Sequence, residues 1–73
     1  MKIKLAKKEI IHFIGIGGIG MSGLSLIMKG QGFKVQGSDI SNNKNIERLK
    51  KEKIKIYSGH SKKNLKDATI VVI

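Results

Sequence analysis

The residues best placed to do chemistry are three glycines, Gly15, Gly17 and Gly20, in the spacing Gly-x-Gly-x-x-Gly. An apolar run at 10–14, rich in β-branched residues, precedes them, and a helical pattern follows. In this strand–turn–helix context, Gly15 makes the tight turn, Gly17 lets a diphosphate approach the backbone, and Gly20 lets the helix pack closely on the strand. The unpaired N–H groups and positive dipole of the helix start would then hold a phosphate anion.

Polar side chains that could complete such a site follow the helix start and the second predicted strand. Ser22 lies in the first helical turn, where its hydroxyl could donate to a phosphate oxygen or be an ordinary small polar residue. Asp39 lies 19 residues after Gly20, close to the offset at which a dinucleotide-binding unit places a carboxylate on a ribose hydroxyl. The alternative is a turn-forming aspartate, but the position after a strand favours the ligand-side role.

The two histidines have different expected roles. His12 lies inside the first predicted strand, where a histidine is more often a hydrogen-bonded core residue than a ligand or a base. His60 follows the third predicted strand, at the carboxyl end where open α/β sheets bind their ligands.

The rest of the pattern supplies the elements that position these residues. Alternation and bounding glycines predict strands at 10–14, at 33–37 (ending in Ser38 and Asp39), at 54–57 and at 68–73, of which the last is of a buried type. Helices are predicted at about 18–29 and in a second segment that ends at about 52, and one helical turn is predicted to run through 65. Ser41 or Asn42 is expected to cap the second helix, and Ser61 the short turn. The order predicts an α/β, Rossmann-like parallel sheet with right-handed crossovers, truncated after its fourth strand. We therefore expect the chain to be the opening part of a longer protein.

The first helix is expected to pack on this sheet in a defined way. Leu24, Ile27 and Met28 recur at helical spacing and form an apolar face. Gly20 and Gly23 are three residues apart and are expected to form a smooth strip against the sheet, since glycine in a helix otherwise costs about 1 kcal/mol relative to alanine.

Composition limits the class of protein. The chain has 73 residues, enough for one small domain, and no cysteine for a disulfide or thiolate site. Residues 1–9 form a basic lead-in without the apolar core of a signal peptide, so a cytoplasmic location without membrane insertion is expected. The net charge of +10 comes from 14 lysines and one arginine scattered over every element, which indicates a compositional bias rather than a nucleic-acid patch.

A resemblance to the N-terminal signature of the Mur ligases lies in the block HFIGIGGIGMSGL, which runs from His12 to Leu24. Three later features resemble the same family in order and spacing: Gly37-Ser38-Asp39 after the second strand, Gly59-His60 with Asn64 after the third, and Asp67-Ala68 before the fourth. The resemblance covers residues 10–73. Ser25 stands where the family more often has alanine, a small-for-small change.

This resemblance implies the N-terminal, UDP-binding domain of a three-domain, ATP-dependent amide-bond ligase of peptidoglycan synthesis, most similar to members that add L-alanine to UDP-N-acetylmuramate. ATP, Mg²⁺ and L-alanine would be bound by the other domains, so this segment would hold no cofactor or catalytic residue and would be inactive alone. The implied diphosphate loop comprises Gly15, Gly17, Gly18, Ile19, Gly20, Met21 and Ser22. The implied uridine side comprises Ser38, Asp39 and His60.

Two other functions stay open. An NAD-binding domain of a dehydrogenase, or a regulatory nucleotide sensor, would use the three glycines and Asp39 equally well, although it leaves the run at 18–22 unspecified. A nucleic-acid-binding fragment is disfavoured by the scattered lysines. The sequence contains no GxxxxGK[ST] loop for ATP phosphates, no carboxylate pair placed for magnesium and no evident nucleophile–base pair.

Overall fold

The computed structural model describes residues 8–73, so most of the predicted basic lead-in lies outside the described residues. The elements follow the predicted order: β1 (Ile10–Ile14), α1 (Ile19–Gly30), β2 (Lys34–Asp39), α2 (Lys44–Lys51), β3 (Lys55–Ser58), a 3₁₀ turn (Lys62–Leu65) and β4 (Ile70–Val72). The α/β, Rossmann-like class is therefore confirmed. No helix among residues 8–73 has the length and apolar character needed to cross a membrane.

The four strands form one parallel sheet in the order β3-β2-β1-β4. The chain moves outward from β1 to β2 and β3, and then returns to place β4 on the other side of β1. Strand order therefore reverses between β1 and β4, and open α/β sheets bind ligands outside the carboxyl ends of their strands at such a point. The glycine turn after β1 lies at the carboxyl end of this strand, next to that point.

One face of the sheet packs against both helices and forms the core. Alternate residues of β1, Ile11 and Phe13, are each 1% exposed and meet the apolar sides of α1 and α2. Among residues 8–73 the buried apolar cluster is Ile11, Phe13, Ile16, Met28, Phe33, Val35, Ile46, Leu49 and Ile54. Gly37 in β2 leaves the space that the fully buried side chain of Ile16 fills.

The expected glycine strip on α1 is wrong. Gly20 and Gly23 are exposed, and a Cβ atom added at either would meet no atom within 4 Å. The buried positions of α1 are Ser22, Ser25 and Met28, so two serines provide the close approach to the sheet. Ile27, predicted on the apolar face, is 48% exposed because the face of α1 that packs inward is the one with Ser22, Ser25 and Met28.

The fourth strand is shorter and less buried than predicted. It pairs with β1 from Ile70 to Val72, while Thr69 joins Ile10 through its backbone N–H and its hydroxyl. Val71 is 43% exposed because it points away from the helices, where little of residues 8–73 covers it. The prediction of a buried-type strand at 68–73 is therefore wrong in burial and in length.

The cap of α2 is Asn43, not Ser41 or Asn42 as predicted. Its side-chain oxygen accepts a hydrogen bond from the backbone N–H of Ile46 at 3.0 Å. Ser41 has another role, because its own N–H donates to Asp39. Ser61 caps the 3₁₀ turn as predicted, accepting from the N–H of Lys63 at 3.3 Å.

Replacing the cap residue has a predictable cost. Asn43→Ala is expected to lower the free energy of unfolding by about 1 kcal/mol, since an N–H group of the first turn loses its acceptor. Asn42→Ala, at the exposed neighbouring position, is the matched control and should change stability by less than about 0.5 kcal/mol. Urea titration followed by circular dichroism measures both, and equal effects would contradict the assignment of Asn43 as the cap.

Candidate functional site

The turn after β1 is tied to the end of β2. Gly15 has a φ angle of +75°, a left-handed conformation that favours glycine, as the predicted tight turn requires. The N–H groups of Gly15 and Ile16 both donate to the carbonyl of Ser38, at 2.8 and 3.1 Å. Gly18 donates to the carbonyl of Gly15 at 3.0 Å. The backbone of the turn is therefore held by the protein itself.

Gly17 is surrounded by side chains from the last residue of β2 and from α2. Its N–H donates to Asp39 Oδ2 at 2.7 Å, and its carbonyl accepts from Asn45 Nδ2 at 2.9 Å. A Cβ atom at this position would lie 2.8 Å from Asp39 Oδ2 and 2.9 Å from Ile46 Cδ1. The close approach that excludes a side chain at Gly17 is thus made by Asp39 and Ile46, and the approach of a diphosphate to this residue stays a prediction.

The free donors of the loop lie one step further along, at the start of α1. The N–H groups of Ile19, Gly20 and Met21 have no acceptor among residues 8–73. The N-cap residue, Gly18, has no side chain to cap them, and the first turn contains no acidic residue. Unpaired N–H groups and the positive end of the helix dipole favour an anion at this position.

Ser22 turns its hydroxyl back onto its own helix. Its Oγ donates to the carbonyl of Ile19 at 3.1 Å, and the side chain is buried. In this conformation it acts as a small polar helix residue, and donation to a phosphate would require another rotamer.

Asp39 joins the glycine turn to the loop after β2. Its Oδ1 atom accepts from the N–H of Ser41 at 2.8 Å, while Oδ2 accepts from Gly17. Burial raises the pKa of the carboxyl group, but the hydrogen bonds from Ser41 and Gly17 outweigh it and hold the pKa below the ordinary value of 3.8. The carboxylate therefore serves a structural turn, and its contact with a ribose stays a prediction.

Two cavities flank the carboxyl end of β2 and divide the predicted uridine-side residues between them. Ser38 and His60 are brought together, with 2.9 Å between Ser38 Oγ and His60 Nδ1. They line a cavity of about 210 Å³ together with His12, Ile14, Ser61, Lys62 and Leu65. Asp39 lines the other cavity, of about 200 Å³, with Ser41, Asn42, Ile46, Lys50, Ile56 and Ser58.

His12 is a hydrogen-bonded core residue, as predicted. Its ring is fully buried, with Nδ1 2.7 Å from Gln36 Nε2 and Nε2 3.2 Å from Ser38 Oγ. Burial lowers the pKa of His12, and the neighbouring charge of His60 lowers it further.

Gln36 and Asn45 were not predicted as functional, and Asn64 was noted only as part of the family resemblance, without a role. Gln36 and Asn64 extend the hydrogen bonds of His12, and Asn45 holds the glycine turn. The signal available for Gln36 was its place as a polar residue in the alternating pattern of β2. Such a residue usually faces solvent, so the pattern did not indicate a buried role. The partners of the two asparagines are far away in the sequence.

The described residues do not fit a magnesium ion. Among residues 8–73 no group of three histidine, aspartate or glutamate side chains is close enough to hold a metal. Asp39, the carboxylate beside the glycine turn, already accepts two backbone hydrogen bonds. Residues 8–73 therefore offer no set of side chains that would hold Mg²⁺.

Comparison with known proteins connects this site to one family. Residues 10–73 match the family described as "Mur ligase family, catalytic domain". A protein of Pelagibacter ubique named UDP-N-acetylmuramate–L-alanine ligase is 75% identical over all 73 residues, which are 16% of its length. The Aquifex aeolicus protein of the same name is 61% identical over 61 residues, 84% of this chain and 13% of that protein.

A solved structure agrees with the sequence comparison. The UDP-N-acetylmuramate–alanine ligase of Thermotoga maritima superposes with a TM-score of 0.79 at 43% identity, covering 84% of this chain and 14% of the other. The chain thus spans about one-sixth of the length of the relatives that it matches.

Proposed function

This chain belongs to the Mur ligase family, and from that premise we propose that it is the N-terminal, UDP-binding part of an enzyme that joins L-alanine to UDP-N-acetylmuramate. The names of its relatives support this reaction. The product would carry the first peptide link of the peptidoglycan stem, so the whole enzyme would serve cell-wall synthesis and hence cell shape and division. A cytoplasmic location stays a prediction.

The observation that carries the proposal is the set of free N–H groups at the start of α1. Ile19, Gly20 and Met21 present three donors at the positive end of a 12-residue helix, beside a turn whose other donors are already used. We assign the diphosphate of the ligand to these three donors. Gly15, Gly17 and Gly18 shape the turn that presents them, and Ser38, Asp39 and His60 lie at the carboxyl end of β2 and β3, towards the uridine.

Catalysis is assigned to the remainder of the enzyme. ATP and Mg²⁺ would activate the muramoyl carboxylate there, and the amine of L-alanine would then form the amide bond. Residues 8–73 contribute ligand binding and orientation in this proposal, and the 73-residue chain alone has no ligase activity.

The test places a negative charge where the diphosphate would bind. Gly20→Asp should fold, because position 20 is exposed with open space at Cβ, and an acidic residue suits the first turn of a helix. Its carboxylate should repel the diphosphate and weaken UDP binding by about tenfold or more. Gly23→Asp carries the same charge one turn further on and should retain binding within about threefold. Isothermal titration calorimetry measures both.

The same titration separates the alternatives. UDP binding to the unmodified chain that Gly20→Asp leaves unchanged would contradict the assignment of the diphosphate to α1. Binding of NADH but not UDP would favour the dehydrogenase or nucleotide-sensor interpretation. Binding of single-stranded RNA with a strong salt dependence would favour the nucleic-acid interpretation.

A further inference from the structure

A network of hydrogen-bonded polar side chains crosses the sheet face opposite the two helices and ends at the exposed His60. Gln36 and His12 are paired in the β1–β2 register, and both are buried. Gln36 Nε2 lies 3.0 Å from the carbonyl oxygen of Asn64 and 2.7 Å from His12 Nδ1. His12 Nε2 lies 3.2 Å from Ser38 Oγ, which lies 2.9 Å from His60 Nδ1.

The chemistry of these groups fixes the direction of every bond. A backbone carbonyl can only accept, so the Asn64 oxygen requires the NH₂ group of Gln36 on its side. The second hydrogen of that NH₂ group points at His12 Nδ1, which must then be the unprotonated nitrogen. The single N–H of the neutral His12 ring is therefore at Nε2, and it donates to Ser38 Oγ.

The last bond follows from the one before it. Because Ser38 Oγ accepts from His12, its own hydroxyl hydrogen is available for His60 Nδ1. A neutral His60 that accepts at Nδ1 carries its hydrogen at Nε2. The ring of His12 is also stacked on Tyr57, with 6.2 Å between centroids and 27° between planes, which helps to hold its orientation.

We propose that Gln36, His12 and Ser38 are positioning residues that set the tautomer of His60, so that His60 presents an Nε2–H donor to an acceptor atom of the ligand. The origin of the direction is the carbonyl of Asn64, in the 3₁₀ turn that follows β3. None of these three residues needs to touch the ligand through the groups used here. That the acceptor belongs to a uridine nucleotide rests on the proposed function, whereas the direction of the hydrogen bonds in the network does not.

The test reverses the direction of these hydrogen bonds by changing Gln36, the residue next to the Asn64 carbonyl. Gln36→Glu places an accepting carboxyl oxygen opposite His12 Nδ1, and any carboxyl proton is directed to the Asn64 carbonyl. His12 should then carry its hydrogen at Nδ1, Ser38 should donate to His12 Nε2, and His60 should donate to Ser38 from Nδ1. Long-range ¹H–¹⁵N correlation spectra of the imidazole rings, recorded without ligand at a pH where both rings are neutral, report the two tautomers directly.

A second variant keeps the test decisive if Gln36→Glu does not fold. Ser38→Ala removes the link between the rings, so His12 should keep its Nε2–H tautomer while His60 becomes a mixture of both. The expected results are Nε2–H for both rings in the unmodified chain, Nδ1–H for both in Gln36→Glu, and the mixed state of His60 in Ser38→Ala. A His60 tautomer that is the same in the unmodified chain and in every folded variant would overturn the proposal.

A ligand titration then separates the two proposals. UDP is the probe, and Gln36→Glu is expected to weaken its binding by about fivefold, the value of one ordinary hydrogen bond. If the tautomers reverse but the unmodified chain does not bind UDP, the positioning role stands and the proposed function fails. If UDP binds but the tautomers do not change, the positioning role fails and the proposed function stands.

Discussion

Gly37→Ala is expected to lower the free energy of unfolding by about 3 kcal/mol, the upper end for an overpacked core. The added Cβ would lie 2.6 Å from the Cβ of Ile16 and 2.8 Å from the carbonyl oxygen of Phe13. Neither neighbour can withdraw, since the Phe13 carbonyl belongs to the central strand and Ile16 is fully buried at its branched carbon. Domains of this size have little stability to lose, so most of the variant chain should be unfolded.

The matched control for this change is Gly23→Ala. A Cβ atom at Gly23 would meet nothing within 4 Å, and the position lies inside an exposed helix turn. Alanine there should raise stability by up to about 1 kcal/mol. Far-ultraviolet circular dichroism and urea titration measure both variants. A Gly37→Ala chain with the unmodified urea midpoint would show that β2 and the glycine turn are not packed as described.

Asp39→Asn is expected to lower the free energy of unfolding by about 2 kcal/mol at neutral pH. The single oxygen of the new amide can still accept from Gly17 or Ser41, but the NH₂ group of the amide must face the other N–H donor. One of these two N–H groups then loses its acceptor in the protein, and the charge-assisted bonds of the carboxylate are lost. The glycine turn should loosen with it, because Asp39 is the acceptor for the N–H of Gly17.

The pH dependence of Asp39 follows from its lowered pKa. Below pH 3.8 the unfolded chain takes up this proton while the folded chain still resists it. The stability from Asp39 is therefore complete above about pH 5 and is lost as the pH falls through 3.8 towards the folded-state pKa. Asp39→Asn should remove this part of the acid dependence in urea titrations from pH 6 to pH 3. Asp67→Asn, at an exposed carboxylate, is the control and should retain it.

Much of the fold could be predicted because local pattern and packing agree. The alternation in 33–39 and the isoleucine-rich run at 10–14 identified β2 and β1 within a residue or two. The turn at Gly15 followed from the glycine spacing, and the observed φ of +75° agrees with it. The helix boundaries were also close, since glycines end α1 and a run of polar residues precedes α2.

The rotation of α1 and the cap of α2 could not be predicted from local pattern. Glycine and serine are both small, and the sequence does not show that Ser22 and Ser25, rather than Gly20 and Gly23, face the sheet. Three consecutive polar residues before α2 can each cap a helix, and the choice of Asn43 depends on Ser41 being held by Asp39. The rotation of α1 is decided by its packing against β2 and α2, and the cap of α2 by a hydrogen bond that three adjacent polar residues do not reveal in the sequence.

The hydrogen bonds around Gly17 also have a kinetic meaning. Its N–H and carbonyl are held by Asp39 and Asn45, so the turn that leads into α1 has its shape before any ligand arrives. A ligand that binds a preformed surface loses little free energy to ordering the backbone, and its association is not limited by a loop that must first close. The residues that hold this turn, Asp39 at the end of β2 and Asn45 in α2, would therefore influence the association rate of the proposed ligand although they do not supply its donors.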